Sequence, residues 1–280
     1  MHILKGYTKQ EISWMMYDWA NSAHSVIIVT LLPIFFDTVA GYTADSVSSM
    51  STWGYATSIA MLIVALAAPF LGVFGDIRGM RKKLFSFFML LGVAACAGMA
   101  FTPGMDFTSG PVAAGKVASL ILVLYIVSVI GFDASAIYYD AFLTDVTIED
   151  RMDKVSTMGY GLGYIGGSTI PLLIFLIMNL VGVPMLTCLA FVFGLTAVWW
   201  LAFSLPLLKN CEQTSGKPYE KGDVARSIKG VGTTIKEIIA NKPMLIYILS
   251  YFFYIDGVHT VISMATTLSL IHISEPTRPY

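Results

Sequence analysis

Long apolar stretches alternate with short polar connections along most of the chain. A helix needs about 20 apolar residues to cross a bilayer, and each stretch is close to that length or longer. We therefore predict seven membrane-spanning helices. They are Ser13–Asp37, Ser51–Phe74, Leu84–Phe101, Val117–Leu143, Val155–Leu180, Val183–Leu208 and Met244–Thr267.

Basic residues are distributed unevenly between the two sides of these predicted helices. They gather in the amino-terminal tail and in the connections after the second, fourth and sixth spans. In the connections after the first, third and fifth spans, Lys116 is the only basic residue. Connections rich in lysine and arginine stay on the cytoplasmic side of a membrane. The pattern therefore predicts a multi-pass protein with a cytoplasmic amino terminus.

The composition agrees with a membrane protein and argues against some classes of binding partner. Apolar residues make up 56% of the chain and charged residues 12%, whereas soluble proteins carry about 25% charged residues. The net charge of −1 provides no field that would attract nucleic acid. The cysteines lack the spacing of metal ligands. We expect the lipid bilayer and a small-molecule substrate as partners, and no nucleic acid, metal or cofactor.

One long connection divides the predicted helices into two groups. Residues 1–208 are predicted to form a six-helix transmembrane bundle, residues 209–243 a cytoplasmic loop, and residues 244–267 the first helix of a second bundle. Apolar residues between Val224 and Ile238 recur at helical spacing. This spacing predicts a short amphipathic helix on the membrane surface, with a solvated linker as the alternative.

The last residues differ in character from the rest of the chain. The segment 268–280, LSLIHISEPTRPY, resembles the translation of a sequencing-library adaptor read in frame. We expect this tail not to be native and exclude it from the fold. We then expect the natural protein to continue beyond the seventh span, so that the present chain is truncated.

Carboxylates inside the predicted spans are the first candidates for function. Asp18 lies in the first span, Asp133 and Asp140 in the fourth, and Asp256 in the seventh. Asn21 shares a helical face with Asp18. A carboxylate at mid-membrane costs about 2.5–3.5 kcal/mol, so these side chains must face protein or water. Transporters built from repeated three-helix units would place them along one shared cavity.

These acids lack basic partners within the predicted spans, because no lysine or arginine lies there. A buried carboxylate without a partner tends to bind a proton. This suits proton coupling or the binding of a cationic substrate group, and Asp256 is nearest the midplane of its span. The alternative is a protonated acid that only hydrogen-bonds a neighbouring helix.

A glycine-rich stretch opens the fifth span. Gly159, Gly163 and Gly167 recur at every fourth position, a spacing that lets two helix backbones approach closely. We therefore predict that these glycines form a helix-packing face.

The connection after the second span, GVFGDIRGMRKKL at 72–84, resembles the signature of the major facilitator superfamily. Gly72, Asp76, Gly79 and Arg81 match it, whereas Ile77 stands where a basic residue is usual. The resemblance implies that this loop gates the transporter, with the carboxylate and the bases forming a breakable charge lock between bundles.

Three further stretches carry a narrower resemblance. They are YDWANSAH at 17–24, YYDAFLTDV at 138–146 with RMDKVSTMGYGLGYIGG at 151–167, and YFFYIDGVHTV at 251–261. Together they resemble the vacuole-effluxer-like family of that superfamily, whose fungal members are linked to autophagy. His24, Asp140 and Thr144 depart from the family's usual tyrosine, asparagine and proline, which bears on the identity of the substrate.

The resemblance implies an all-α membrane protein with a major-facilitator-type helical bundle. The chain would hold the amino-terminal six-helix half and part of helix 7 of a transporter of about twelve helices built from repeats. The resemblance also implies export of small solutes, with amino acids as the candidate class, and a monomer when full length. Short outer connections favour the bacterial plasma (inner) membrane.

We therefore expect a proton-coupled secondary active transporter rather than an enzyme. The sequence contains no GxxxxGK[ST] phosphate-binding loop that would indicate drive by ATP. One alternative is an intramembrane enzyme, in which Asp133 and Asp256 would form an aspartyl pair. A second alternative is a receptor or scaffold that does not transport.

Overall fold

The computed structural model describes residues 6–43, 49–216, 218 and 223–274. Within these residues the long elements are all helical. They are α1 (Lys9–Ala40), α2 (Ser49–Gly75), α3 (Arg81–Met99), α4 (Pro111–Val146), α5 (Glu149–Leu162), α6 (Thr169–Leu180), α7 (Met185–Asn210), α8 (Asp223–Ala240) and α9 (Lys242–Ser274). A π-helical turn at Gly163–Ser168 joins α5 to α6. The predicted all-α fold is confirmed.

The helices confirm a multi-pass membrane protein. In the described part of the chain, six helical segments are long and apolar enough to cross a membrane, with Glu149–Leu180 counting as one span. A seventh arises only if Gly230–Ala240 and Lys242–Val258, which meet at a bend of 100°, are counted together. The helix predicted between Val224 and Ile238 exists as α8, whereas its place on the membrane surface and the alternative of a solvated linker stay predictions.

Polar caps extend the helices beyond the apolar stretches. The Thr8 side chain accepts a hydrogen bond from the Glu11 amide at 3.1 Å, and the Glu11 carboxylate accepts one from the Thr8 amide at 2.7 Å. This reciprocal pair satisfies two free amides of the first turn, so α1 begins at Lys9 rather than at the predicted Ser13. In the same way α4 begins at Pro111, where proline's fixed φ suits the first helical turn.

Helix α1 lies in the middle of the bundle. It contacts α2, α4, α5, α6 and α7, and large side chains on it such as Tyr17 and Phe35 are fully buried. The backbones of α3 and α4 come into contact at Gly92 and Gly131. A Cβ added to Gly131 would lie 2.5 Å from the Gly92 nitrogen. The core therefore depends on backbone contact as well as on aromatic packing.

The chain divides into two compact units, Met1–Pro218 and Tyr219–Tyr280. The first contains α1 to α7, and the second contains α8 and α9. The predicted boundaries at residues 208, 243 and 267 stay predictions. Helix α9 continues to Ser274, whereas the rest of the suspected adaptor tail, 275–280, lies outside the described residues.

Candidate functional site

Asp18 is held where α1 faces α4 and α5. Its Oδ2 accepts a hydrogen bond of 2.8 Å from the Tyr139 hydroxyl on α4, and Asp140 directly follows Tyr139 in the chain. The side chain is half-buried. Gly159 on α5 makes room for it, because a Cβ there would lie 2.5 Å from Oδ2. The partner of this carboxylate is therefore a neutral hydroxyl rather than a cation.

The other predicted site residues of α1 and α4 differ in exposure. Asn21 is buried on α1, one turn after Asp18. On α4, Asp133 is half-buried and Asp140 is exposed. Because the two aspartates are seven residues apart, they share one face of the helix. Through the bond to Tyr139, the structure brings Asp18 on α1 next to the α4 segment that carries Asp133 and Asp140.

Asp256 is exposed on α9, in the second compact unit. It therefore belongs to a different unit from the acids of α1 and α4. The interpretation that spans one, four and seven line one path, and the alternative of an Asp133–Asp256 pair, therefore both stay untested.

The predicted glycine face lies against α1. A Cβ on Gly163 would be 2.6 Å from the Ser22 hydroxyl, and one on Gly167 would be 2.4 Å from the Trp19 carbonyl oxygen. Gly166, which the four-residue spacing did not include, has the Trp19 ring 2.0 Å from its Cβ position. The backbone of the π-helical turn thus touches the helix that carries Asp18.

Two buried polar pairs join α1 to α4 beside this contact. The Tyr17 hydroxyl lies 2.8 Å from Ser135 Oγ, and His24 Nε2 lies 3.3 Å from Ser128 Oγ. His24 also packs against the ring of Trp200 on α7, with centroids 5.1 Å apart. The pairs are spaced seven residues apart on both helices, so they form one polar stripe within an apolar interface.

A second cluster lies at the basic end, where α1, α3 and α5 begin and α2, α4 and α7 end. Arg81 Nη1 pairs with Asp145 at the end of α4, and the two side chains are only 5% and 0% exposed. Asp76, which the signature singles out, lies 3.7 Å from Arg81 Nη2 and is 82% exposed. Gly79 turns the loop with φ of +81°, a conformation that favours glycine. Gly72 lies in α2 with open space at its Cβ position.

The segment Cys211–Gly216, which we call the strap, covers this cluster. The amides and hydroxyls of Thr214 and Ser215 all donate to Asp145 Oδ1, at 2.7–3.0 Å. Cys211 at its start is fully buried, and burial raises the pKa of its thiol to about 12. The strap thus supplies most of the hydrogen bonds of a buried carboxylate.

A separate ion pair fixes the start of α1. Arg151 on α5 donates to both oxygens of Glu11, at 2.9 and 2.8 Å, and the Thr147 hydroxyl donates to Glu11 at 2.7 Å. The Arg151 guanidinium also lies 5.8 Å from the centre of the Tyr7 ring. This cluster ties α1 to the α4–α5 connection and shares no residue with the strap.

Several of these residues were missed by the sequence analysis. Tyr139 directly precedes Asp140 in the quoted YYDAFLTDV stretch, which is the one signal that pointed to it. Asp145 lies just beyond the predicted fourth span. A carboxylate outside the membrane is not expected to be costly, so nothing in the sequence singled it out. Gln213 and Ser215 lie in a polar connection without any motif. In the described residues, no group of three or more histidine, cysteine or acidic side chains could hold a metal ion.

Comparison with known proteins gives a consistent set of relatives. The sequence profile of the vacuole effluxer Atg22 like family matches residues 42–151 and 144–274. The uncharacterized MFS-type transporter YxiO of Bacillus subtilis is 40% identical over 273 residues, which is 95% of this chain and 61% of that protein. Autophagy-related protein 22-1 of Penicillium rubens is 27% identical over 129 residues, 42% of this chain and 22% of that protein. The chain therefore spans less than two thirds of the length of these relatives.

Proposed function

The chain belongs to the vacuole effluxer Atg22 like family, and on this premise we propose that the protein is a secondary active transporter working by alternating access. The family assignment confirms the resemblance read from the sequence. We further propose that the transporter exports small solutes, with amino acids as the solute class and a proton gradient as the drive. The Bacillus relative, described as an MFS-type transporter, supports the transport activity.

The contact between Asp18 and Tyr139 is the observation that supports this function best. The hydroxyl stabilises the carboxylate by a hydrogen bond of 2.8 Å but does not neutralise its charge. Neutralisation is then left to a proton or to the ammonium group of a substrate, both of which suit an amino-acid transporter. Asp140 adds a second carboxylate close by, so one group can carry a proton while the other contacts substrate.

The basic end supplies the proposed gate. Arg81 is bound to Asp145 inside the first unit, whereas the largely exposed Asp76 remains available to a charge outside it. In the proposed cycle Asp76 forms an ion pair with a basic group outside the first unit when the gate closes, and this ion pair breaks when the gate opens. In the present state the buried pair of Arg81 and Asp145 holds the loop in position, and removing one member of such a pair costs about 3–5 kcal/mol.

The proposed setting follows from the distribution of basic residues. We place the basic end on the cytoplasmic side of a bacterial plasma membrane, with the amino terminus also cytoplasmic. We propose that the full-length protein works as a monomer without a cofactor and is not an enzyme.

The test is efflux from proteoliposomes that contain the full-length protein and are loaded with a radiolabelled mixture of the protein amino acids. We expect efflux to depend on an imposed proton gradient. Asp18→Asn should lower it about tenfold, the effect of about 1.4 kcal/mol. Asp106→Asn is the matched control, because Asp106 lies in an exposed turn and, among the residues that the structure describes, bonds Thr108 and Ser109 alone.

Each outcome has a separate meaning. Absence of amino-acid efflux from the wild-type protein would contradict the proposed solute class. Efflux that persists after collapse of the gradient would contradict proton drive. Equal efflux by Asp18→Asn and Asp106→Asn would contradict the role of the Asp18–Tyr139 contact.

A further inference from the structure

The strap binds the loop between α2 and α3 through one side chain. Gln213 Oε1 accepts hydrogen bonds from the Gly79 amide at 2.8 Å and the Arg81 amide at 3.2 Å. Its Nε2 donates to the Gly75 carbonyl at 3.0 Å. The start of α3 has no side-chain cap of its own residues. Gln213 therefore caps the beginning of α3 and the end of α2 at the same time.

The strap also completes the environment of Asp145. A carboxylate in the last turn of a helix lies at the negative end of the helix dipole, which disfavours its charge. Asp145 is nevertheless fully buried, with Arg81 as its ion-pair partner. The Arg81 guanidinium in turn donates to Ser215 Oγ at 3.1 Å. Departure of the strap would remove the four hydrogen bonds to Asp145 and the one from the Arg81 guanidinium, so we expect strap and pair to form and break together.

Gly216 allows the backbone of the strap to contact the backbone of the loop between α2 and α3. Its φ is +116°, and an added Cβ would lie 2.8 Å from the Asp76 carbonyl oxygen. Any other residue would combine a strained backbone with a clash against main-chain atoms. The contact therefore depends on a glycine that has no part in the ion pair itself.

The chain passes from the first compact unit to the second just after the strap, at Pro218. In a transporter that works by alternating access, a movement between units displaces the connecting chain. We propose that the strap is a latch that couples such movement to the Arg81–Asp145 pair, with Gln213 and Gly216 as positioning residues. The latch is bound in the present state and is released when the basic end opens. This inference rests on the proposed transport function.

The test measures hydrogen–deuterium exchange at the Gly79 and Arg81 amides, which Gln213 protects. Full-length protein in proteoliposomes is compared at rest and during efflux of the radiolabelled amino-acid mixture. In the wild-type protein we expect exchange to be about tenfold faster during efflux, the factor that corresponds to losing a hydrogen bond worth about 1.4 kcal/mol. A bond with a structural role alone would stay protected throughout.

Two variants separate the latch from general stability. Gly216→Ala should give fast exchange even at rest and a several-fold change in the efflux rate. Gly182→Ala is the matched control, because Gly182 also has positive φ, +86°, but lies at the other end of the bundle with open space at its Cβ position. The control should behave as wild type. Gln213→Glu keeps both accepted bonds and loses the bond to Gly75, so its exchange should be intermediate.

Unchanged exchange in vesicles that show efflux would overturn the latch and leave the proposed function intact. The same conclusion would follow if Gly216→Ala lost protection but transported as wild type. Absence of efflux from the wild-type protein would instead overturn the proposed function and the latch with it.

Discussion

Replacing Gly167 by alanine tests the close contact between the π-helical turn and α1. The new Cβ would lie 2.4 Å from the Trp19 carbonyl oxygen, 2.9 Å from Ser22 Cβ and 3.1 Å from the Trp19 carbonyl carbon. Ordinary contact begins at 3.4 Å, so the two backbones must separate by about 1 Å, and such overpacking forces backbone shifts. The same carbonyl accepts a hydrogen bond from Trp199 at 3.0 Å, which the movement would disturb.

The expected cost follows from two opposing effects. Overpacking a well-packed core costs about 1–3 kcal/mol, whereas alanine stabilises a helix by about 0.5–1 kcal/mol relative to glycine. We expect a net loss of about 1–2 kcal/mol for Gly167→Ala. A loss of 1 kcal/mol lowers Tm by about 2–4 °C in a chain of 150–250 residues and by less in a longer one, so we expect a decrease of a few degrees.

Thermal unfolding of the full-length protein in detergent, followed by tryptophan fluorescence, measures this loss. Gly161→Ala is the control, because Gly161 lies in α5 with open space at its Cβ position. It should unfold at or above the wild-type Tm. A Gly167→Ala protein as stable as Gly161→Ala would refute the close packing of α1 against this turn, and with it the placement of Asp18.

Two further predictions concern other buried sites. Gly131→Ala should lower the Tm by a similar amount, because its Cβ would lie 2.5 Å from the Gly92 nitrogen. Gly115→Ala is the control and should not lower the Tm, because there is open space at its Cβ position. Equal Tm values for the two variants would contradict the α3–α4 contact. Cys211, whose pKa burial raises to about 12 from the ordinary 9.0, should resist N-ethylmaleimide at pH 8 in micelles and react after denaturation. Since the folded protein holds this proton more tightly than the unfolded chain, the contribution of Cys211 to stability should fall as pH rises above about 9. Rapid labelling in micelles would contradict its burial.

The membrane spans could be predicted because apolarity alone defines them. Their ends could not, because helices end at caps rather than where apolar residues end. Thr8 and Glu11 start α1 before its apolar stretch. The π-helical turn was also missed. Pro171 has no amide to bond the Gly167 carbonyl in a regular helix, and the Trp19 ring occupies the space beside Gly166, but neither effect can be read from spacing along one helix.

Of the residues at the candidate site, the sequence predicted those whose burial in an apolar span costs free energy. Asp18 and Asp133 drew attention because a carboxylate in an apolar span must have a reason to be there. Tyr139, whose hydroxyl binds Asp18, carries no such signal, because tyrosine is common in apolar helices and interfaces. The same asymmetry applies to glycine. The regular spacing identified Gly163, whereas Gly166 depends on a tryptophan from another helix.

Asp145 shows why the partners of a charged group are harder to predict than the group itself. Placed two residues beyond the predicted fourth span, it looks like a solvated residue at the end of a helix, yet its side chain is 0% exposed. What makes that burial tolerable is a cation from α3 and hydrogen-bond donors from Thr214 and Ser215, about seventy positions away in the chain. Thr214 and Ser215 carry no charge, have short side chains and lie in a connection without a recognisable motif. They stabilise Asp145 only after the fold has brought the strap against the basic end. The residues that decide how this end opens are therefore expected among its neutral hydrogen-bonding groups as much as among its charges.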